Sequence, residues 1–358
     1  MLPVNSGGHT AYQTFVLENL RKYYPDPTVF AKSTWDIIER FWNLDLSYTD
    51  ELLRSKYSVF GPKPRTPSCM QRSYLLSIDF KVHSLTDWAA QLKINPLYAI
   101  LSGFQFGDTP GVGTFYDFLD RLWDSDSDNL SPHIHPVKKK KVKKPKQKGD
   151  KAEPIEKVTV EQLFQSMEHS SFSIDEQPYA SLFKIYDHEF LSVSISKGLI
   201  DISNLSIAGD GMPVTTSARE RKHRICECSK NGITSCHCDR YFSQPDCDIG
   251  YDSSRECFYH GYHLYILVAA NSESDLPLFP LFNPASKHDS HGFLEAYFRF
   301  KAFLPDFHVR KWLLDSAHDA MSYYLYCRKN DIQPFIDLNE KRGISMKYKD
   351  DFTIGKDG

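Results

Sequence analysis

The order of strand-like and helix-like segments between residues 204 and 339 restricts the fold of this chain more than any other feature. Three runs rich in apolar and β-branched residues predict consecutive strands, at 204–211, 257–272 and 276–286. Four further segments then alternate between helix and strand, at 289–304, 311–315, 319–331 and 332–339. The order βββαβαβ predicts a meander of three strands followed by helical crossovers to parallel strands.

This order is that of the ribonuclease H-like arrangement, in which the first and fourth strands lie side by side in parallel. We therefore predict an α/β ribonuclease H-like domain over residues 156–358, with a cysteine-rich insertion at 220–250. Apolar residues at helical spacing predict a mostly α-helical domain over 1–130. A lysine-rich, disordered linker at 131–155 separates the two.

Two aspartates stand at the ends of predicted strands. Asp210, between Gly209 and Gly211, ends the first strand, and Asp315 ends the fourth. Ligands of α/β sheets bind at such carboxyl ends, and two close carboxylates favour a hard divalent cation between them. The pair therefore predicts a site for Mg²⁺ or Mn²⁺. Two other interpretations stay open: a simple Gly-Asp-Gly turn, and Asp315 as the N-cap of the next helix.

Several blocks around these residues resemble the catalytic domain of DDE-type insertion-sequence transposases. They are AGDGMPV, GYDSSRECFYHGYHLYILVAA, LPLFPLFNPASKHDS, LLDSAHDA and PFIDLN, within about 205–340. The resemblance implies that Asp210 and Asp315 are the first two acids of the catalytic triad. It also implies a metal-dependent enzyme that cuts transposon ends and joins them to target DNA by two-metal phosphoryl transfer. The implied partner is DNA, bound by a homodimer.

The sequence departs from the family pattern at two places. A tyrosine often follows the second aspartate by three residues, and His318 stands there, suited either to DNA phosphate or to packing and capping. The third family acid is a glutamate on a helix after the fifth strand, but the chain stops at DDFTIGKDG. We therefore expect the third acid beyond residue 358, and this chain to be catalytically silent as written.

Four cysteines between the first two predicted strands indicate a structural Zn²⁺ site. They form two C-x-C pairs separated by seven residues: Cys226, Cys228, Cys236 and Cys238. Four thiolates can close a tetrahedral zinc site, although free thiols and disulfides remain alternatives. His223, His237 and Cys247 could replace one of the four ligands.

Two basic segments are candidates for contact with DNA phosphates. Residues 138–148 contain eight lysines in 11 residues, of which we assign six to DNA binding: Lys138, Lys139, Lys140, Lys141, Lys143 and Lys144. The segment ARERKHR adds Arg219, Arg221, Lys222 and Arg224. The lysine-rich segment can also be interpreted as a solvated tether, and ARERKHR as a solvated turn.

The segment at 97–123 reads as helix, Gly/Pro-rich turn and helix. It resembles the helix-turn-helix that would recognise transposon ends in such transposases. Its second helix carries three aspartates and one arginine, which favours a packed helical hairpin instead.

Composition limits the cellular compartments in which we expect the protein. Apolar residues make up 41% of the chain, enough for a core, yet no run approaches the roughly 18 residues of a membrane span. Four of the eight cysteines fall within 13 residues, which indicates metal binding in a reducing compartment. We expect a cytoplasmic, nucleoid-associated protein. Two other functions remain compatible: a non-catalytic, zinc-stabilised DNA-binding protein derived from a transposase, and a metal-dependent nuclease.

Overall fold

A computed structural model describes residues 8–58, 60–125, 159–216, 223–224, 228, 230–233, 240–241 and 246–339. The α-helices in this part of the chain are α1 (Gly8–Tyr23), α2 (Lys32–Asn43), α3 (Ser47–Leu52), α4 (Pro67–Asp79), α5 (Leu85–Ile94), α6 (Pro96–Ser102), α7 (Val112–Leu122), α8 (Val160–Glu168), α9 (Ala180–Tyr186), α10 (Ser192–Ser196), α11 (Asp289–Phe303) and α12 (Met321–Lys329). The strands are β1 (Leu205–Thr215), β2 (His223–Arg224), β3 (Arg240–Tyr241), β4 (Asp248–Asp252), β5 (Cys257–Ala269), β6 (Leu276–Pro284), β7 (Val309–Leu314) and β8 (Gln333–Ile336).

The chain divides into two compact units. The described residues of Met1–Asp126 and Asp175–Ser196 form the first, and those of Ser127–Ile174 and Lys197–Gly358 form the second. The domain boundaries predicted from the sequence place residues 175–196 in the second domain. In the structure these residues belong to the first unit.

The first unit is helical around one apolar core. The helices begin and end at local signals: α6 starts at Pro96, after Asn95 caps it through Leu97 N at 3.0 Å, and stops at Gly103 with φ +87°. Fully buried side chains from several helices fill the core, among them Val16, Trp88, Leu92, Ile100 and Phe115.

Helices α6 and α7, the predicted helix-turn-helix, both bury apolar side chains in this core. Ile100 on α6 and Phe115 on α7 are inaccessible to solvent. Arg121, the arginine of α7, donates to Asp117 O at 2.7 Å and lies 4.5 Å from the centre of the Tyr57 ring. Because its guanidinium is already held by the helix and by Tyr57, α7 has the features of a packed hairpin.

Residues 175–196 are hydrogen-bonded into the first unit through two acidic side chains, of which Glu189 is buried. The carboxylate of Glu189, in a π-helical turn, accepts from Thr49 N at 2.9 Å and from Gln71 Nε2 at 2.8 Å. Asp124 accepts from Ser181 N at 2.6 Å. Burial raises the pKa of Glu189, although these hydrogen bonds partly offset that effect.

The second unit is built on a mixed sheet, so the predicted α/β content is confirmed. The strands lie in the order β6-β5-β1-β7-β8, and β4 pairs with β5 as well. Strands β1, β5 and β6 pair antiparallel, whereas β7 pairs parallel with β1 and β8 parallel with β7. Helix α11 connects β6 to β7, and α12 connects β7 to β8.

One face of this sheet is buried beneath helices rich in aromatic residues. Along β5, Tyr259, Tyr265, Leu267 and Ala269 point to the same side and are all buried, which is the alternation expected of a half-covered strand. Their side is covered by α11, whose Phe293 ring contacts Tyr265 at a centroid distance of 6.2 Å.

The first strand is longer than the sequence predicts. The pattern places its end at Asp210 and Gly211, but β1 continues to Thr215. The reason is the length of β5. This strand has 13 residues, and its pairing with β1 extends as far as Thr215 opposite Gly261. The predicted position of Asp210 at a strand tip is therefore wrong, because Asp210 lies inside the β1–β5 ladder opposite Ile266.

Candidate functional site

Asp210 and Asp315 lie on neighbouring parallel strands. The register pairs Ile207 with Trp312 and Ala208 with Leu313. Continued by two residues, it brings Asp210 opposite Asp315, on strands roughly 4.8 Å apart. Asp210 shares a face of β1 with Ala208, and Asp315 lies one residue beyond the end of β7. Both side chains are exposed.

Asp315 directly follows β7 and caps the 3₁₀ turn Ser316–His318. Its Oδ1 accepts from Ala317 N at 3.2 Å and from His318 Nδ1 at 2.6 Å. The capping alternative considered from sequence is thus present, although the capped turn precedes the helix and is not part of it. The side chain of Asp315 is 56% exposed, so capping leaves it accessible to a ligand.

The glycines on either side of Asp210 make room for side chains of β5. A Cβ at Gly209 would lie 2.8 Å from the hydroxyl oxygen of Tyr265, and a Cβ at Gly211 would lie 2.3 Å from His263 Nε2. Contacts this short do not occur between real atoms, so a residue larger than glycine would displace either ring. Packing against Tyr265 and His263 therefore accounts for glycine at both positions.

Asp289 and His263 form a second acid–imidazole pair beside Asp210. Asp289 is the first residue of α11, and its Oδ1 lies 3.1 Å from His263 Nε2. The same oxygen would lie 2.4 Å from a Cβ on Gly211, which places Asp289 against the backbone next to Asp210. Sequence reasoning missed both residues. The available signal was an acid in the first turn of the helix that follows the third strand of the meander.

His318 is buried. Of the two roles that the sequence left open for it, contact with DNA phosphate or packing and capping, its burial agrees with packing. It is 1% exposed, and its Nε2 lies 3.0 Å from the hydroxyl of Tyr265. Burial raises the pKa of Tyr265 well above its usual value, and Tyr323, Asp289, Asp315 and Asp210 raise it further through their charges. The charges of three aspartates therefore act on one buried tyrosine.

These donors suit a hard divalent cation, but they do not form a complete cage. Asp210 and Asp315 offer carboxylate oxygens, which are the ligands that Mg²⁺ and Mn²⁺ prefer. Within the described residues, no group of three or more His, Cys, Asp or Glu side chains is placed to hold a metal ion together. The arrangement is an open pair of acids on an exposed strand surface, to which a large substrate has access.

Most of the other predicted site residues lie outside the described part of the chain. This holds for the six lysines of 138–144 and for Arg219, Arg221, Lys222, Cys226, Cys236 and Cys238. Arg224 lies on β2, which pairs antiparallel with β3. Cys228 lies in a turn, where its carbonyl accepts from Ile233 N at 2.8 Å. Cys247, a possible substitute zinc ligand, is buried, and burial raises its pKa to about 11.

Comparisons with protein families, curated proteins and solved structures find no match to this chain. Among the described helices, none has the length and apolar character required to cross a membrane.

Proposed function

We propose that the second unit is the ribonuclease H-like catalytic domain of a DDE-type DNA transposase. The observation that carries the proposal is that Asp210 lies on β1 and that Asp315 directly follows β7, the strand that pairs parallel with β1. The order of the strands in the sheet supports the proposal. When β1, β5, β6, β7 and β8 are numbered 1 to 5 along the chain, they lie in the order 3-2-1-4-5, and strand 2 is antiparallel to strand 1. This order is the one expected of a ribonuclease H-like sheet.

In this proposal Asp210 and Asp315 hold Mg²⁺ or Mn²⁺ at the centre of the reaction. The bound ion would supply a Lewis acid for phosphoryl transfer from DNA. The chain's own contribution is position and charge. Each Oδ1 is held by a backbone N–H, that of Gly211 at 2.8 Å for Asp210 and that of Ala317 for Asp315. These bonds orient the carboxylates, and their exposure admits a polymer substrate.

The test of this function uses the full-length protein and the DNA that flanks its gene. Incubation with Mg²⁺ or Mn²⁺ is expected to release 3′-hydroxyl ends at defined positions and to join them to a second DNA. Hydrolysis without joined products would favour the metal-dependent nuclease. Binding of DNA with no cleavage in either metal would favour a non-catalytic protein derived from a transposase, and would overturn the proposed activity.

The proposal includes a structural Zn²⁺ in the cysteine-rich insertion. Strands β2 and β3 pair antiparallel on either side of the cysteines, with Arg224 opposite Arg240. In the sequence, Cys226 and Cys228 follow Arg224 by two and four residues, and Cys236 and Cys238 precede Arg240 by four and two. This symmetric spacing about a hairpin supports a four-thiolate site.

We expect purified protein, prepared without added metal, to contain about one equivalent of zinc per chain by elemental analysis. Replacing Cys236 and Cys238 with serine should remove the zinc because serine hydroxyls are poor zinc ligands. The matched control replaces Cys69 and Cys327 with serine. These two cysteines lie in α4 and α12, outside the insertion, and their loss should leave the zinc content unchanged. A content near zero in the unaltered protein would contradict the zinc site.

DNA is the proposed partner, contacted by the lysines of 138–144 and the basic residues of 219–224, and the proposed assembly on DNA is a homodimer. The proposed location is the cytoplasm, at the nucleoid. Each Lys–phosphate contact would release about one counterion and make binding weaken with salt.

A further inference from the structure

Asp315 is backed by a chain of two buried side chains. Its Oδ1 lies 2.6 Å from His318 Nδ1, and His318 Nε2 lies 3.0 Å from the hydroxyl of Tyr265. Tyr265 and His318 are 0% and 1% exposed, whereas the carboxylate at the end of the chain is 56% exposed. The chain therefore runs from the core under α11 to an exposed carboxylate.

The direction of the hydrogen bonds follows from the chemistry of the three groups. An ionised carboxylate can only accept, so His318 Nδ1 must carry the proton of the bond to Asp315. In a neutral imidazole, Nε2 is then an acceptor, and the Tyr265 hydroxyl donates to it. The raised pKa of Tyr265 keeps its hydroxyl protonated, so the hydroxyl can act as that donor.

Packing holds this chain in place. The imidazole of His318 lies edge-on to the rings of Phe293 and Tyr323, each with a centroid distance of 5.6 Å. The Tyr265 hydroxyl reaches it beside Gly209, where a Cβ would be 2.8 Å from the hydroxyl oxygen. An imidazole fixed on two sides cannot rotate away from Asp315, so the hydrogen bond to Oδ1 is a fixed feature of the fold.

We propose that His318 and Tyr265 are positioning residues that turn Oδ1 of Asp315 toward the core and present Oδ2 to the cation. The hydrogen bonds that Asp315 accepts from described residues both go to Oδ1. An exposed aspartate without such an anchor rotates among several rotamers, and a metal would have to select one. Partners of this kind, behind a metal ligand, strengthen metal affinity by orienting the ligand. The metal role rests on the proposed function.

The experiment compares two substitutions, each of which keeps a polar atom near one of the two imidazole nitrogens and loses the other. The amide nitrogen of asparagine falls near Nδ1, so His318→Asn keeps a donor for Asp315. The longer glutamine places its amide near Nε2, so His318→Gln keeps a partner for Tyr265 and loses the donor. We expect Mn²⁺ affinity, followed by electron paramagnetic resonance, to fall about tenfold in His318→Gln and to stay within about threefold in His318→Asn.

Thermal unfolding separates positioning from general damage to the core. Asparagine removes more volume from a buried position and leaves the Tyr265 hydroxyl without its acceptor, so His318→Asn should unfold at the lower temperature. The order of metal affinity and the order of stability are thus expected to be opposite. A merely structural role for His318 would make both orders the same, and that result would overturn the proposal.

Tyrosine variants and nitrogen NMR complete the test. Tyr265→Phe should weaken Mn²⁺ binding several-fold because the hydroxyl that holds Nε2 of the imidazole in place is then lost. The matched control is Tyr297→Phe, a buried tyrosine of the same cluster whose ring packs against Trp312; it should leave affinity unchanged. In the unaltered chain, ¹⁵N shifts should show His318 protonated at Nδ1 and unprotonated at Nε2. A proton on Nε2 would overturn the hydrogen-bond chain itself. No Mn²⁺ binding by the unaltered chain, with the expected shifts, would overturn the proposed function and the metal role together.

Discussion

Replacing either Asp210 or Asp315 with alanine is expected to reduce DNA cleavage by the full-length protein about 10³-fold or more. Each change would remove a carboxylate ligand of the proposed metal, which would stabilise transition-state charge by several kcal/mol, and each 1.36 kcal/mol is a factor of ten in rate. Both side chains are exposed, so neither substitution leaves a cavity in the core. DNA binding should stay within about twofold because most of its affinity comes from cationic contacts with phosphates.

The conservative variants and a control make this result specific. Asp210→Asn and Asp315→Asn keep the shape of the side chain and remove its charge, so they should lose cleavage nearly as fully. Asp306→Ala changes an exposed aspartate in the turn between α11 and β7, at the opposite end of β7 from Asp315, and should cleave normally. Cleavage retained in Asp210→Ala or Asp315→Ala would remove that residue from the mechanism.

Gly261→Ala is expected to destabilise the second unit by about 3 kcal/mol, because the sheet has no space for a methyl group there. A Cβ on Gly261 would lie 2.1 Å from the carbonyl oxygen of Val214 on β1. That oxygen belongs to the backbone of a strand that β5 pairs along nine residues, so it cannot move aside as a flexible side chain would. A loss of this size should lower the unfolding temperature of the unit by roughly 6–12 °C.

Calorimetry is the appropriate measurement, with Gly113→Ala as the control. Gly113 lies in α7, and a Cβ there would have no neighbour within 4 Å. Alanine in a helix is up to about 1 kcal/mol more favourable than glycine, so this variant should match or exceed the unaltered protein. An unchanged unfolding temperature in Gly261→Ala would mean that β1 and β5 do not approach each other as closely as described.

The order of the strands along the chain and the choice of the two aspartates could be predicted because their signals are local. Runs of alternating or continuous apolar residues define β5, β6 and β7, and Asp315 interrupts such a run at its end. The end of β1 could not be predicted in the same way. Gly211, Met212 and Pro213 read as a turn, and only pairing with β5 makes them a strand. Tertiary pairing overrides local propensity at that point.

The residues around the acid pair depend on contacts that no local pattern reveals. His263 and Tyr265 belong to a strand whose aromatic residues look uniform, and register alone brings them beside Gly211 and Gly209. Asp289 looks like an ordinary acid in the first turn of a helix. His318 was recognisable as a departure from the family pattern, but its burial depends on α11 and α12 closing over it.

The return of residues 175–196 to the first unit has a consequence for synthesis on the ribosome. The first unit lacks Glu189 and its hydrogen bonds to Thr49 and Gln71 until that segment has been made. Asp126 and Ser196 are 70 residues apart, which at 5–20 residues per second is a delay of roughly 4–14 s. During that interval the backbone N–H of Thr49, a residue fully buried in the finished fold, lacks the acceptor that Glu189 provides. The nascent helical unit is therefore most vulnerable to proteases and chaperones in that interval, before the sheet has begun to form.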